Sequence, residues 1–233
     1  MTFVVAIDGP AGTGKSSVAR FLAHQLNFIY VDTGAIYRAL AFLVEKDKVD
    51  ADNVDAVVAL ISRIEVCFDE VIHSTRIKID GEIVENELRT EHISRLSSLV
   101  SQHGKVREAL LPVQRSLISK ISLGAIFEGR DIGTVVFPFA PIKLFITANP
   151  QTRAKRRYEE IKKIHETISF DEVLQAIEKR DERDKSRANA PMQQAEDAHV
   201  IDTSMMTFEQ VTKEAISLIE ERQAKGTQGN RLW

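Results

Sequence analysis

The chain has 233 residues, 43% of them hydrophobic and 28% charged, an ordinary globular composition that excludes wholesale disorder. Its net charge of -3 supplies no general attraction to nucleic acid or an anionic membrane, so any anion site must come from a local cluster. A single cysteine, Cys67, rules out an internal disulfide framework, and no apolar run is long enough to span a bilayer.

The N-terminus lacks the basic segment and longer apolar core of a signal peptide, so a cytoplasmic protein without membrane or nucleic-acid partners is expected. Strand-like and helix-like stretches alternate, which predicts a parallel sheet wrapped by helices. A first strand is expected over 3–7 and a first helix over 15–26. Between them Gly9 to Ser16 read G-P-A-G-T-G-K-S, filling every fixed position of G-x-x-x-x-G-K-[ST]. The glycines Gly9, Gly12 and Gly14 let successive backbone N–H groups turn inward around an anion, and the helix start adds its positive end. Lys15 brings a charge to the outer phosphates, and Ser16 places a hydroxyl to ligate Mg²⁺. Strand, glycine loop and helix together imply a nucleoside-triphosphate site.

A second strand is expected over 28–31, then helices over 34–46 and 53–62. The segment Asp32-Thr33-Gly34 is readable as a helix cap. D-T-G is also the aspartic-protease signature, but that fold is all-β and needs two such loops. From Ile64 to Val84 the pattern is strand, turn, strand, with Asp80-Gly81 a hairpin signal, so a small antiparallel sheet is expected to be inserted in the parallel core. Cys67 within it reads as a small buried hydrophobe. Helices follow over 91–102 and 105–120, a strand over 123–127, and a strand over 142–147. A helix over 150–164 carries Arg153, Arg156 and Arg157 as a basic face. The helix over 170–186 leads into Arg180, Arg183, Asp184 and Arg187, spaced to share one face; composition alone reads it as solvated surface. A strand over 198–202, a helix over 207–222 and a frayed end from Lys225 to Trp233 complete the chain. The six histidines lack metal-site spacing, so no zinc site is expected.

The motifs D-G-P-A-G-T-G-K-S, D-T-G-A-I-Y-R, V-R-E-A-L-L, G-R-D-I-G-T-V-V-F-P and R-D-E-R-D-K-S-R occur in the order found in bacterial cytidylate kinases. From about residue 4 to about residue 203 the chain resembles that family. The resemblance implies an α/β fold: a phosphate-loop core with a five-stranded parallel sheet flanked by helices, over 1–62 and 104–224. It further implies an antiparallel, acceptor-binding insertion over 63–103, a short helical lid over 151–168, and a flexible tail over 225–233. The activity implied is transfer of the γ-phosphoryl group of ATP, with Mg²⁺, to CMP or dCMP, by a monomer.

By the same resemblance Gly9, Pro10, Ala11, Gly12, Thr13, Gly14, Lys15, Ser16, Ser17 and Arg157 bind ATP. Arg38, Arg130 and Arg187, with Lys15, contact the acceptor phosphate or the transferring group, where planar guanidinium forks suit phosphate oxygens. Arg180 and Asp184 hold the ribose hydroxyls beside Tyr37, and Thr33 belongs to the same acceptor site. Asp131 is the carboxylate that accepts from the cytosine amino group, while Arg107 and Ser98 face the base's acceptor edge. Glu128 ends the third core strand near the Mg²⁺ shell. AMP, dTMP and other small acceptors are the rival substrates on this scaffold; a signalling GTPase is disfavoured because no N-K-x-D motif is present.

Overall fold

Residues 2–162 and 168–229 are described by the computed structural model. In chain order the elements are β1 (Phe3–Asp8), α1 (Lys15–Leu26), β2 (Ile29–Asp32), α2 (Thr33–Lys46), α3 (Val54–Ala59), β3 (Ile64–Asp69), β4 (Ser74–Ile79) and β5 (Glu82–Val84). There follow α4 (Glu91–Val100), α5 (Gly104–Ser116), β6 (Gly124–Glu128), β7 (Ile142–Thr147), α6 (Pro150–Ile161), α7 (Phe170–Ser186), β8 (His199–Asp202) and α8 (Phe208–Gly229).

Alternation along β1 sends Val4 and Ala6 to one face of the sheet and Val5 and Ile7 to the other, and all four are buried. A strand apolar on both faces needs helices on both sides, which is the parallel α/β solution. Val4, Ala6, Val31, Ala125 and Phe127 pack with Ile36 and Leu40 of α2, Val57 of α3 and Leu110 of α5. On the opposite face Val5, Ile7, Ile126 and Leu144 pack with Val18 and Leu22 of α1 and Ile219 of α8. Helices α6 and α7 form a third, smaller cluster through Ala154, Val173 and Ile177.

The sheet runs β3-β4-β2-β6-β1-β7-β8, with β5 on β4. Its five core strands pair in parallel through β2–β6, β6–β1, β1–β7 and β7–β8. The hairpin strands, expected as a small antiparallel sheet inserted in the parallel core, pair antiparallel with one another and extend the same sheet, because β4 meets β2 in parallel at Tyr30 and Ser74 and Tyr30 N–H donates to the His73 carbonyl at 2.8 Å. The Asp80-Gly81 turn has φ of 54° and 88°, the all-positive pattern of the two-residue hairpin turn. Cys67, expected as a buried hydrophobe, is half-buried on this edge, its Sγ donating to the Arg76 carbonyl at 3.5 Å.

Several boundaries differ from the sequence reading where helices tighten at their ends. The helix expected over 53–62 becomes α3 followed by a 3-10 turn over Leu60–Arg63, and that over 105–120 becomes α5 with a 3-10 turn over Leu117–Lys120. A single π turn over Ile132–Val136 had no sequence signal. Residues 225–229, expected as a frayed end, continue α8, while 230–233 lie outside the described residues. Residues 163–167, part of the expected helix and lid, also lie outside them. Among the described residues no helix is long and apolar enough to cross a membrane.

Candidate active site

A cleft of about 700 Å³ opens at the carboxyl ends of the parallel strands, between the β1–α1 loop, α2, α4, the β6 end and α7. That is where open α/β sheets offer their loops and helix N-termini to ligands. Ala11, Gly12, Gly14, Lys15, Ser16 and Ser17 line it, whereas Gly9, Pro10 and Thr13 form the back of the same loop. Gly9 has φ of 144°, and a Cβ there would lie 2.0 Å from the Ile146 carbonyl oxygen, so no other residue fits. The Pro10 carbonyl accepts from Lys15 Nζ at 2.9 Å and from Thr13 Oγ1 at 3.3 Å. Lys15 is only 4% exposed; burial, then the nearby Arg130 charge, push its pKa down to about 7 against the opposing pull of Glu128.

Glu128 gathers the hydroxyls of this half. Its Oε1 accepts from Ser16 Oγ at 2.9 Å and lies 3.7 Å from Lys15 Nζ, while Oε2 accepts from Tyr30 Oη at 2.6 Å. Thr33 Oγ1 donates to the Glu128 backbone carbonyl at 2.7 Å, which joins the start of α2 to the end of β6. Among the described residues no group of three or more His, Cys, Asp or Glu side chains is placed to hold a metal ion.

The other half of the cleft is dense in guanidinium groups. Arg38 Nη2 donates to Asp32 Oδ2 at 2.8 Å, and Asp32 Oδ1 accepts from Ala35 N–H at 3.0 Å, so Asp32 both caps α2 and orients Arg38. Arg130 Nε donates to Asp184 Oδ2 at 3.0 Å. Arg107 Nη2 meets Asp131 Oδ2 at 2.5 Å and lies over the Tyr37 ring at 5.2 Å; Arg187 Nη2 stands 3.9 Å from Asp131 Oδ1. Burial pushes the Asp184 carboxyl up, but Arg130, Arg180 and Arg187 together hold it below its ordinary range. Burial, then the Arg130 charge, bring Arg180 down to about 10.

Thr33, Tyr37, Arg38, Ser98, Arg107, Arg130, Asp131, Arg180, Asp184 and Arg187, expected in one acceptor site, all line this cleft together with the phosphate loop. Arg38 Nε, Ser98 Oγ, Arg107 Nε, Arg180 Nε and Arg187 Nη2 are buried there without a hydrogen-bond partner. Such groups are costly unless a ligand satisfies them, so their concentration in one cleft marks a polar, anionic binding site.

Two expectations fail. Arg153 does not share an open basic face with Arg157. It is 3% exposed, pairs with Asp181 at 2.6 Å and donates to the carbonyls of Ala148 and Ala11, because α6 packs onto the back of the phosphate loop. Arg156 likewise donates to Thr203, leaving Arg157 in the cleft, paired with Glu91 at 2.6 Å and Glu160 at 3.1 Å. Arg183 also leaves the shared face: α7 ends at Ser186, and Arg183 Nε donates to the Lys179 carbonyl outside the cleft. The sequence reading assigned no role to Asp8 or Tyr30. The available signal for Asp8 was a carboxylate ending an otherwise wholly apolar strand.

A glycine loop between the central strand and a helix, facing an arginine-lined second half-site, defines a phosphate-loop nucleotide-binding protein. The cytidylate kinase family model matches residues 5–221, and the chain belongs to that family. It is 40% identical over 226 residues to a cytidylate kinase of Citrifermentans bemidjiense, covering 97% of this chain and 96% of that one. It is 41% identical over 225 residues to one of Corynebacterium efficiens, covering 97% of each. A solved structure of an uncharacterized protein from Eubacterium ventriosum shares the fold at a TM-score of 0.51 and 15% identity, covering 94% of this chain and 99% of that one.

Proposed function

We propose that the protein transfers the γ-phosphoryl group of ATP to the phosphate of CMP or dCMP, giving ADP and CDP or dCDP. The observation that carries this is the meeting, in one cleft, of the phosphate loop with Arg38, Arg130, Arg180 and Arg187. An acceptor phosphate oxygen forms the new bond to the γ phosphorus as the bond to the β–γ bridging oxygen breaks, and the electron pair leaves with ADP. The acceptor is already ionised, so no general base is required. The residues act by positioning and by cationic stabilisation of the transferring group.

Mg²⁺ fits the residues at the phosphate loop. Ser16 Oγ is a hard oxygen donor within 2.9 Å of the Glu128 carboxylate, so Ser16 would hold the ion directly and Glu128 through water. The remaining ligands would be phosphate oxygens and water, since this metal keeps much of its hydration. Bound there, the ion neutralises charge on the β and γ phosphates.

Lys15 gives this reading a proton signature. The phosphates favour its ammonium form, so binding above its free pKa of about 7 takes up a proton. Calorimetry at pH 8.5 in buffers of different ionisation enthalpy should register uptake approaching about one proton per ATP. Proton-neutral binding would remove Lys15 from contact with the phosphates.

Base choice rests on hydrogen-bond polarity at Asp131. The carboxylate accepts from the cytosine amino group, whereas uracil would set its O4 against it, a mismatch of roughly 1–3 kcal/mol. Asp131→Ala should therefore lower kcat/KM for CMP by about 10-fold or more and leave UMP nearly unchanged. Equal losses would make Asp131 a structural residue. The function itself is tested by ADP release from Mg-ATP with CMP, dCMP, UMP, AMP, dTMP and no acceptor. Strong turnover with CMP and dCMP, and little with the other acceptors, is the expected result. Turnover with another base equal to or above that with CMP, or hydrolysis without any acceptor, would overturn it.

A further inference from the structure

We infer that Asp8 is a positioning residue that frees Asp131 to read the acceptor base, by capping in its place the turn that Asp131 begins; this rests on the function proposed above. Asp131 occupies the N-cap position of the π turn over Ile132–Val136, with φ of -145° and ψ of 25°. An aspartate there ordinarily folds its carboxylate back onto the N–H groups of its own first turn. Asp131 makes no such bond. Two of those donors are taken by Asp8: Ile132 N–H goes to Asp8 Oδ1 at 2.8 Å and Gly133 N–H to Asp8 Oδ2 at 2.7 Å.

The cap therefore arrives from β1, across 124 positions of sequence to Ile132. Asp8 is 5% exposed, both its carboxyl oxygens accept a backbone bond, and burial, against these two bonds, raises its pKa to about 6. With the first two N–H groups of its turn held by Asp8, the Asp131 carboxylate lines the cleft and meets Arg107 at 2.5 Å. Asp8 also immediately precedes Gly9, whose backbone is pinned against Ile146, and the Gly129 N–H donates to the Ile7 carbonyl at 3.0 Å. One rigid strand end thus sets both the phosphate loop and the loop that carries Arg130 and Asp131.

The test is Asp8→Asn. Asparagine keeps one acceptor and turns an amide donor toward the second N–H, which leaves a donor for Asp131 to recapture. The CMP-to-UMP ratio of kcat/KM should fall by about 10-fold while KM for ATP stays within about twofold. In the Asp131→Ala background the same substitution should leave that ratio unchanged, because the residue through which it acts is gone. Proportionate losses with CMP and UMP, or a ratio effect that persists without Asp131, would overturn the role of Asp8. If Asp8→Asn fails to fold, Asp8→Glu, which keeps both acceptors but displaces them, carries the same comparison with the same expected and overturning results. Wild-type protein is assayed alongside: absence of CMP-dependent turnover there removes the proposed function and this role with it, whereas an active wild type confines a negative result to Asp8.

Discussion

Lys15→Ala is expected to reduce phosphoryl transfer on the order of 10³-fold or more while leaving the fold intact. The side chain is buried at the base of the phosphate loop, with its ammonium on the Pro10 carbonyl and 3.7 Å from Glu128. Burial and the neighbouring Arg130 charge disfavour its ammonium form and lower its pKa to about 7. Between about pH 7 and the ordinary 10.5 the unfolded chain binds more protons than the folded one, so this group makes the free protein more stable as pH rises through that window. Lys15→Ala should erase that slope in denaturant titrations and abolish proton uptake on ATP binding. A variant that transfers phosphate at near wild-type rate would remove the phosphate loop from the mechanism.

Arg130→Ala is expected to have the second large effect, a loss on the order of 10³-fold in kcat with a smaller change in KM for ATP. Arg130 stands at the centre of the charge arrangement: it pairs with Asp184 and depresses the titration of both Lys15 and Arg180. Its removal should therefore raise the Lys15 pKa and move the midpoint of ATP-linked proton uptake above pH 7. Arg130→Lys keeps the charge and loses the planar fork, so it should preserve that midpoint yet remain impaired by about 10-fold or more. If alanine and lysine variants behave alike in both readouts, charge at this position has no part in the site.

How far these residues were legible from sequence follows from how local their causes are. The β1–loop–α1 unit was readable residue by residue, because glycine positions, strand alternation and helical spacing act within a few residues of one another. Arg180 and Asp184 were not readable on their own. Helix α7 has a mixed-charge sequence that looks solvated throughout, and only its packing on the cleft separates buried Asp184 from exposed Lys185. Arg153 misled for the converse reason: a basic helical face reads as surface or ligand site, but a Cβ on Gly12 would lie 3.2 Å from Arg153 Cβ, so that face is pressed against the phosphate loop.

The sequence by itself determined the phosphate loop, the α/β class, the hairpin at Asp80-Gly81 and, through its ordered motifs, the family. Tertiary structure alone decided which charges meet. Arg107 and Asp131 are 24 residues apart, Arg130 and Asp184 are 54, and Asp8 caps a turn 124 residues away. Backbone dihedrals and periodicity are properties of neighbouring residues. The partner of a buried charge is set by which strand end and which helix the packed sheet brings within hydrogen-bonding distance, and no local pattern encodes that choice.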